Sequence, residues 1–257
     1  MRIGVCTGPE NVPDPVSGLD YIEGTVGDLL RPREDDAAFA ARLAAAQAAA
    51  VAVEAVNCFI PGDIKTTGPA VDNAALDDYV AAALKRAGRM GISIIVFGSG
   101  GSRSVPDGWD RRSASEQLVG HLRRWGPPAE RAGVTIVLEP LNRAECNFVN
   151  SVDEAADLVR RAGQPNIRLL FDTYHMARDN DPIEAIRRAA GLIAHVHCAE
   201  GVGRGPLGTI GEDQRPYFRA LKDIGYTGRV SIEANWKDLP SQLPAAVAEL
   251  RRQIESA

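Results

Sequence analysis

VTIVLEPLNRAECNFVNSVDEAADLVRRAGQPNIRLLFD, residues 134–172, contains two apolar, β-rich runs separated by a polar loop and a helix-like segment. The first run ends on Glu139 and the second on Asp172. An order of strand, helix and strand over this length is typical of a βαβ unit with two parallel strands. The stretch therefore predicts a parallel sheet in which some strands end on a carboxylate.

The same alternation extends over the whole chain. The predicted strands are RIGVC (2–6), YIEG (21–24), AVEAVNCF (52–59), ISIIVFG (92–98), VTIVLE (134–139), IRLLFD (167–172), IAHVHC (193–198) and RVSIE (229–233). The predicted helices are 37–50, 73–88, 113–132, 152–162, 182–190, 214–224 and 241–256. Strict alternation of eight strands with helices favours a (β/α)8 barrel over an open doubly wound sheet. The first βα turn, CTGPENVPDP, supports this choice because it lacks the GxGxxG of a dinucleotide fold.

Length and composition indicate one globular domain, residues 1–257, since 45% of the residues are hydrophobic and 25% are charged. No run of eighteen apolar residues occurs, and the chain begins directly with a strand-like segment, so we expect a soluble, cytoplasmic protein without a membrane partner. Four cysteines without CxxC spacing favour reduced thiols. A net charge of -5 argues against a nucleic-acid partner, whose binding relies on clustered Lys and Arg.

The last four predicted strands each end on a potential metal ligand: Glu139, Asp172, His197 and Glu233. In a barrel these strand ends lie side by side at the C-terminal rim, where active sites of this fold are found. Strand alternation gives all four the same inward parity. We therefore expect the four side chains to point into the same opening, at the C-terminal end of the barrel.

Three carboxylates desolvated side by side would be costly without a cation, so the cluster predicts a bound divalent metal. Three oxygens and one imidazole favour Mn, Mg or Co, with Zn as a further option. The alternative is that these acids pair with arginines such as Arg143 or Arg168, or cap the loops.

The four histidines are expected to differ in role. His195 and His197 lie on one face of the same strand, and His197, nearer the rim, is the better ligand, while His195 is expected to hydrogen-bond one layer below. His121 lies on a predicted helix and is interpreted as a surface or packing residue.

The motifs from 136 to 233 resemble those of the xylose isomerase-like barrel superfamily, in particular its sugar phosphate isomerase/epimerase branch with ketose 3-epimerases and hydroxypyruvate isomerases. EPLNRAE (139–145) matches the family's Glu-x-x-Asn-Arg-x-Glu. The resemblance implies that Glu139 is a metal ligand and an acid or base, and that Glu145 is a substrate-side carboxylate. Asn142 and Arg143 are interpreted as supports of Glu139.

Three further motifs carry the resemblance: FDTYHM (171–176), HVHCAEGVGR (195–204) and VSIEAN (230–235). They imply metal ligation by Asp172, His197 and Glu233, with Glu233 as the second acid or base. They also imply substrate contacts by His175 and Arg204. Two departures are a one-residue displacement of Arg204 and a Cys6 where ketose epimerases often have an aromatic residue.

The predicted function is a metal-dependent isomerase or epimerase of a keto sugar. The metal would stabilise an enediolate while Glu139 and Glu233 remove and return a proton on opposite faces of one carbon. A lyase or dehydratase of a keto-inositol or keto-glycoside is the alternative, and hydroxypyruvate isomerase is less favoured. A multi-zinc endonuclease would need more than four histidines. The expected partner is a small carbohydrate, and a homo-oligomer is common among relatives.

Three features near the predicted rim have two interpretations each. The glycine-rich loop FGSGGSRSVPDGWD (97–110) could form an anion-binding concavity with Arg103, or a flexible turn. Trp109 and Trp236 could form an apolar wall for a sugar, or pack within the protein.

Overall fold

The computed structural model describes residues 1–13 and 16–257, and its eight strands are parallel and close into a barrel. The strands are β1 Arg2–Cys6, β2 Tyr21–Thr25, β3 Val53–Asn57, β4 Ile94–Phe97, β5 Thr135–Leu138, β6 Ile167–Asp172, β7 Ile193–Cys198 and β8 Arg229–Ile232. Each strand pairs with the next, and β8 pairs with β1. The predicted single-domain (β/α)8 barrel is confirmed, including the short second strand.

Nine α-helices lie within the described residues: α1 Asp36–Ala48, α2 Asn73–Met90, α3 Gly100–Arg103, α4 Arg111–Arg131, α5 Val152–Ala162, α6 Thr173–Asp179, α7 Glu184–Arg188, α8 Arg215–Asp223 and α9 Leu239–Ser256. The seven predicted helices are present. Two short ones, α3 and α6, were not predicted because they lie in loops that follow strands at the rim. A 3₁₀ turn, Pro9–Asn11, and a π-helical turn, Val26–Leu30, also follow strands directly.

Local sequence explains where several helices begin and end. Asp72 caps α2 by accepting hydrogen bonds from the N–H groups of Ala74 and Ala75. Gly91 ends that helix in the left-handed conformation, with φ of 81°, which glycine adopts without steric cost. These caps fix the helices that pack around the barrel.

The barrel interior is filled below the rim by a small cluster of buried side chains: Tyr21, Ala55, Ile94, Val96, Val137 and Leu170. Tyr21 needs the space beside Gly4, where an added Cβ would lie 2.3 Å from its ring. Its hydroxyl lies 2.7 Å from Ser231 Oγ. A polar layer that includes Ser231 lies directly above this apolar cluster.

Other predictions concern residues away from the rim. All four cysteines are free, as expected. His121 is buried and packs, with its ring stacked on Trp125 at 5.5 Å between centroids. Within the described residues, the helices all lack the length or the apolar character needed to cross a membrane.

Candidate active site

The four predicted ligand residues converge at the C-terminal rim. Within the cluster, one potential ligand atom from each side chain lies within 4.8 Å of the others, and its members are Glu139, Asp172, His197 and Glu233. Strand register brings them together, since Asp172 pairs with His197 across β6 and β7. Their role as metal ligands stays a prediction, but the convergence on which it depends is present.

Asp172 uses its two carboxylate oxygens for different tasks. Oδ1 accepts a hydrogen bond of 2.8 Å from the N–H of Tyr174 and so caps α6, which starts directly after β6. Oδ2 faces the site, 3.0 Å from Nη2 of Arg204. The aspartate is fully buried, and the helix cap holds its free oxygen in place.

His197 presents Nδ1 to the site and Nε2 to the interior. Nε2 lies 2.8 Å from Oε1 of Glu23, which can only accept, so Nε2 carries a proton in this pair. Nδ1 lies 3.3 Å from Glu139 Oε1 and 3.0 Å from Glu233 Oε2. Nδ1 is thus the ring nitrogen that faces the two carboxylates.

Two orphaned atoms test whether this cluster fits a divalent cation. His197 Nδ1 and Glu139 Oε1 are buried and make no hydrogen bond within the described residues. A buried acceptor without a donor is costly, and a cation would satisfy both atoms at once. An imidazole nitrogen with three carboxylates is also a donor set that Mn, Mg, Co or Zn can accept. The residues present therefore fit the predicted metal.

Glu23, in the middle of β2, is a site residue that the sequence analysis missed. Its Oε2 lies 2.7 Å from His195 Nε2 and accepts a 2.6 Å hydrogen bond from Ser231 Oγ, while Oε1 contacts His197. The expectation that His195 hydrogen-bonds one layer below the rim is met. Because Glu23 does not end its strand, the strand-end rule used for the later strands did not select it.

Two neutral residues at other strand ends were also missed. Asn57 ends β3, is 6% exposed, and donates from Nδ2 to Glu233 Oε1 at 3.3 Å. Gly98 follows β4, and an added Cβ there would lie 2.2 Å from Glu139 Oε2. The glycine therefore gives the Glu139 carboxylate its space.

The predicted substrate residues Glu145 and His175 lie together beside the cluster. Asn142 Nδ2 donates to Glu145 Oε1 at 2.9 Å, and the backbone N–H of Asn142 donates to His175 Nδ1 at 3.2 Å. Arg143 pairs instead with Asp179, at 2.9 Å. The interpretation of Asn142 and Arg143 as supports of Glu139 is therefore wrong, because their side chains turn toward other partners across the loop.

Arg204 reaches the cluster despite its displacement by one residue. Its guanidinium contacts Asp172 and Glu233 and lies over the ring of Tyr174, with Cζ 4.8 Å from the centroid. Its backbone is left-handed, with φ of 52°, a strained conformation for a non-glycine residue. The carbonyl of Arg204 accepts a 2.7 Å hydrogen bond from the N–H of Asn235, which holds this conformation.

Glu200 holds the rest of the Arg204 loop. This fully buried carboxylate accepts hydrogen bonds from four backbone N–H groups, at Gly208, Ile210, Gly211 and Glu212. Four amides on one carboxylate fix a glycine-rich segment that would otherwise have many conformations. These hydrogen bonds therefore hold the loop that carries Arg204 in one conformation.

The site drives the pKa values of its two rim glutamates in opposite directions. Burial raises the pKa of Glu139, although His197 opposes the rise. Burial also disfavours the ionised form of Glu233, but His197 and Arg204 outweigh it and lower its pKa to about 2. Two carboxylates with separated pKa values are the arrangement that acid and base chemistry requires.

The cluster opens into a cavity of about 570 Å³, within the range of small-molecule sites. Glu139, Glu145, His175, Arg204 and Glu233 all line it. It is also lined by backbone of the glycine-rich loop at 98–101.

The three open interpretations near the rim now have structural answers. Arg103 is fully buried and donates from Nη1 to the Phe97 carbonyl at 3.1 Å, so it points away from the cavity lining. Burial lowers its pKa. Trp109 and Trp236 are partly buried against the hydrophobic core. Packing, rather than a wall for a sugar, is the interpretation that the structure favours for both.

Comparison with known proteins shows that this chain is similar in sequence to sugar epimerases. An L-ribulose 3-epimerase of Mesorhizobium japonicum is 35% identical over 188 residues, which are 70% of this chain and 61% of that protein. A D-psicose 3-epimerase of Ruminiclostridium cellulolyticum is 37% identical over 48% of this chain and 42% of its own length. The matches thus span about two fifths to three fifths of these curated relatives.

A solved structure shares the whole fold. The D-psicose 3-epimerase of Clostridium cellulolyticum H10, determined with D-tagatose, superposes with a TM-score of 0.81 and 22% identity over 99% of both chains. The family model described as xylose isomerase-like TIM barrel matches residues 17–256, which include every residue of the candidate site described above. The chain therefore belongs to the xylose isomerase-like TIM barrel family.

Proposed function

We propose that this protein is a divalent-metal-dependent epimerase or isomerase of a keto sugar, of the ketose 3-epimerase type. The observation that carries the proposal is the placement of His197 Nδ1 between the carboxylates of Glu139 and Glu233, at the open end of the barrel. The names of the two aligned relatives support the reaction class. Because those alignments cover only part of each relative, their substrates are not transferred to this chain.

The proposed metal ligands are Glu139, Asp172, His197 and Glu233, with Mn, Mg or Co favoured over Zn by the predominance of oxygen. A bound divalent cation would withdraw electron density from a substrate carbonyl and stabilise the enediolate that deprotonation produces. Glu23 keeps the proton of His197 on Nε2 and so leaves Nδ1 as the coordinating atom.

Glu139 and Glu233 are the proposed acid and base. They come from the ends of β5 and β8, so their carboxylates approach the space in front of His197 from different sides. One carboxylate removes the proton from the carbon beside the carbonyl, and the other donates a proton to the opposite face, which inverts that carbon. Return of the proton to the neighbouring carbon would instead interconvert an aldose and a ketose.

Glu145, His175 and Arg204 are the proposed substrate contacts. Asn142 orients the first two by donating to both, so their positions are linked. Arg204 is a guanidinium in a mostly buried setting, where its donors can hold a substrate oxygen that lies beside the carboxylates. Together these groups would fix the sugar so that one carbon faces both glutamates.

The test is hydrogen exchange in deuterated water. Metal-loaded protein is incubated with a panel of ketoses, and NMR follows deuterium at the carbon beside the carbonyl and any new epimer. Epimerisation predicts deuterium in both epimers, whereas the alternative lyase or dehydratase predicts a product that has lost water or a sugar. Absence of exchange with every ketose would contradict the proposal.

Two variants make the test specific. Glu233→Gln should reduce epimerisation by at least about a thousandfold, because inversion requires a proton-transferring group on each face. Glu54→Gln is the matched control, since Glu54 pairs with Arg2 and Arg229 at the opposite end of the barrel. Retained epimerisation in Glu233→Gln would exclude Glu233 as acid or base.

A further inference from the structure

A second cavity adjoins the main one at the mouth of the barrel. Its volume is about 290 Å³, and it lies at the ends of β1, β2, β3 and β8. The two cavities share one set of lining residues: Thr25, Asn57, Cys58, Arg204 and Glu233. The space beside the proposed proton-transferring group therefore continues past Glu233 to the opposite side of the mouth.

Small side chains create this second cavity. Cys6, Thr7, Gly8 and Ala234 form much of its wall. At about 30 Å³ for each water in the liquid, the volume corresponds to roughly ten waters, which is comparable with one further sugar ring. The main cavity alone already has the size of a small-molecule site. The second cavity is thus additional room next to the site.

Asn57 provides a polar contact at the junction of the two cavities. Its Nδ2 donates to Glu233, but its Oδ1 is buried and accepts no hydrogen bond within the described residues. An unsatisfied buried acceptor is costly, and a hydroxyl donor from a bound molecule would remove that cost. The side chain therefore favours a hydroxylated molecule that extends from one cavity to the other.

The charges around both cavities disfavour a phosphate. Among the described lining residues, Arg204 is the one permanently cationic side chain, and it already contacts Asp172 and Glu233. Glu23 adds another carboxylate to the second cavity. A phosphate dianion here would lack the arginine or lysine donors on which phosphate sites depend.

We propose that the second cavity is a subsite for an uncharged, hydroxylated substituent, such as a glycosyl group, on the keto sugar. The inference rests on the proposed function and adds its substrate class: a glycosylated ketose rather than a sugar phosphate. The ketose portion occupies the main cavity, and the glycosyl group lies beside Cys6 and Ala234. Asn57 Oδ1 accepts a hydroxyl at the junction.

Three sugars that differ only at O6 test the proposal. They are D-fructose, D-fructose 6-phosphate and isomaltulose, which is D-fructose with a glucosyl group on O6. Deuterium exchange beside the carbonyl gives kcat/KM for each, and saturation-transfer NMR reports contact of the glucosyl protons with the protein. We expect kcat/KM for isomaltulose to exceed that of either other sugar by at least tenfold, with clear saturation of the glucosyl ring.

Filling the cavity should reverse this preference. Ala234→Leu and Cys6→Phe, tested separately, should each reduce kcat/KM for isomaltulose at least tenfold more than for D-fructose and remove the glucosyl saturation signal. Ala81→Leu is the matched control, because Ala81 is exposed in an outer groove between α2 and α4. It should leave the preference unchanged.

The outcomes separate this inference from the proposed function. Faster exchange of D-fructose or D-fructose 6-phosphate than of isomaltulose would overturn the subsite and leave the epimerase proposal standing. An equal loss for all three sugars in both filled variants would also overturn the subsite. Saturation of the glucosyl ring without exchange of any sugar would support the subsite and count against the epimerase reaction.

Discussion

Glu23 on the second strand and His197 on the seventh face each other across the barrel, with 2.8 Å between Oε1 and Nε2. A carboxylate in this position selects the tautomer of the histidine and fixes the plane of its ring. The candidate metal centre therefore depends on a residue that is not itself in the four-residue cluster. This relationship leads to the first of four predictions.

Glu23→Gln should weaken binding of a divalent cation by about 10–100-fold. The amide offers one acceptor oxygen where the carboxylate has two, and those two serve His195, His197 and Ser231. Competition titration with Mn and a chelating dye measures the dissociation constant. Glu54→Gln serves as the control, and unchanged metal affinity in Glu23→Gln would show that His197 needs no such partner.

Gly98→Ala should displace the Glu139 carboxylate while leaving the barrel folded. The new methyl group would lie 2.2 Å from Glu139 Oε2, which is the mobile end of a side chain and moves more easily than backbone. We expect a loss of at least tenfold in metal affinity, with an unchanged circular dichroism spectrum. Gly27→Ala is the control, because Gly27 also lines the main cavity but has no atom within 4 Å of an added Cβ. Equal behaviour of the two variants would disprove the role of Gly98.

Arg204→Met should have opposite effects on metal binding and turnover. The guanidinium lies 3.0 Å from Asp172 Oδ2 and also contacts Glu233, so its charge repels a cation held by the same carboxylates. We expect metal affinity to rise by about tenfold or more while kcat/KM falls, because the substrate contact is lost. Arg143→Met, which removes a charge paired outside the cluster, is the control. A fall in metal affinity would contradict the prediction.

His121 should make the fold sensitive to acid. Burial and Arg124 lower its pKa to about 4 from the ordinary 6.5. The unfolded chain then binds a proton at higher pH than the folded chain does, so this contribution to stability is complete above pH 6.5 and declines as the pH falls toward 4. At about 1.4 kcal/mol for each pKa unit, the decline approaches roughly 3 kcal/mol.

Urea unfolding of wild type and His121→Gln from pH 7.5 to pH 4 measures this effect. Gln can keep a donor to the Thr66 carbonyl, which lies 3.0 Å from His121 Nε2, but it does not titrate. The free-energy difference between the two proteins should therefore shift in favour of the variant as the pH falls. A difference that is constant with pH would contradict a depressed histidine pKa.

Much of the fold and half of the rim followed from local sequence. Strand alternation assigns inward parity residue by residue, so the convergence of Glu139, Asp172 and Glu233 was predictable without knowing any contact. The short helix that starts at Thr173 was not, because Asp172 both ends a strand and caps a helix, and no intervening loop marks the change. When one residue both ends a strand and caps the next helix, the sequence shows no loop from which the start of that helix could be predicted.

Partnerships across the barrel were beyond local reasoning. Glu23 and His197 are separated by 174 positions, and only the closed register brings their strands to opposite sides of one interior. Arg204 contacts the carboxylates of the cluster although it lies one residue later than in the family motif. Its backbone is left-handed there, and a left-handed conformation at a non-glycine residue was not predictable from the sequence. The turn of Arg143 toward Asp179 likewise depends on where α6 ends.

The position of Tyr21 determines from which end of the barrel a ligand can reach the site. Its ring fills the space beside Gly4, and its hydroxyl bonds to Ser231 directly beneath the polar layer. The described side chains therefore close the barrel beneath the site, and a ligand reaches Glu139 and Glu233 from the rim. A substituent that occupies this entrance would slow product release, which limits kcat but leaves kcat/KM unchanged.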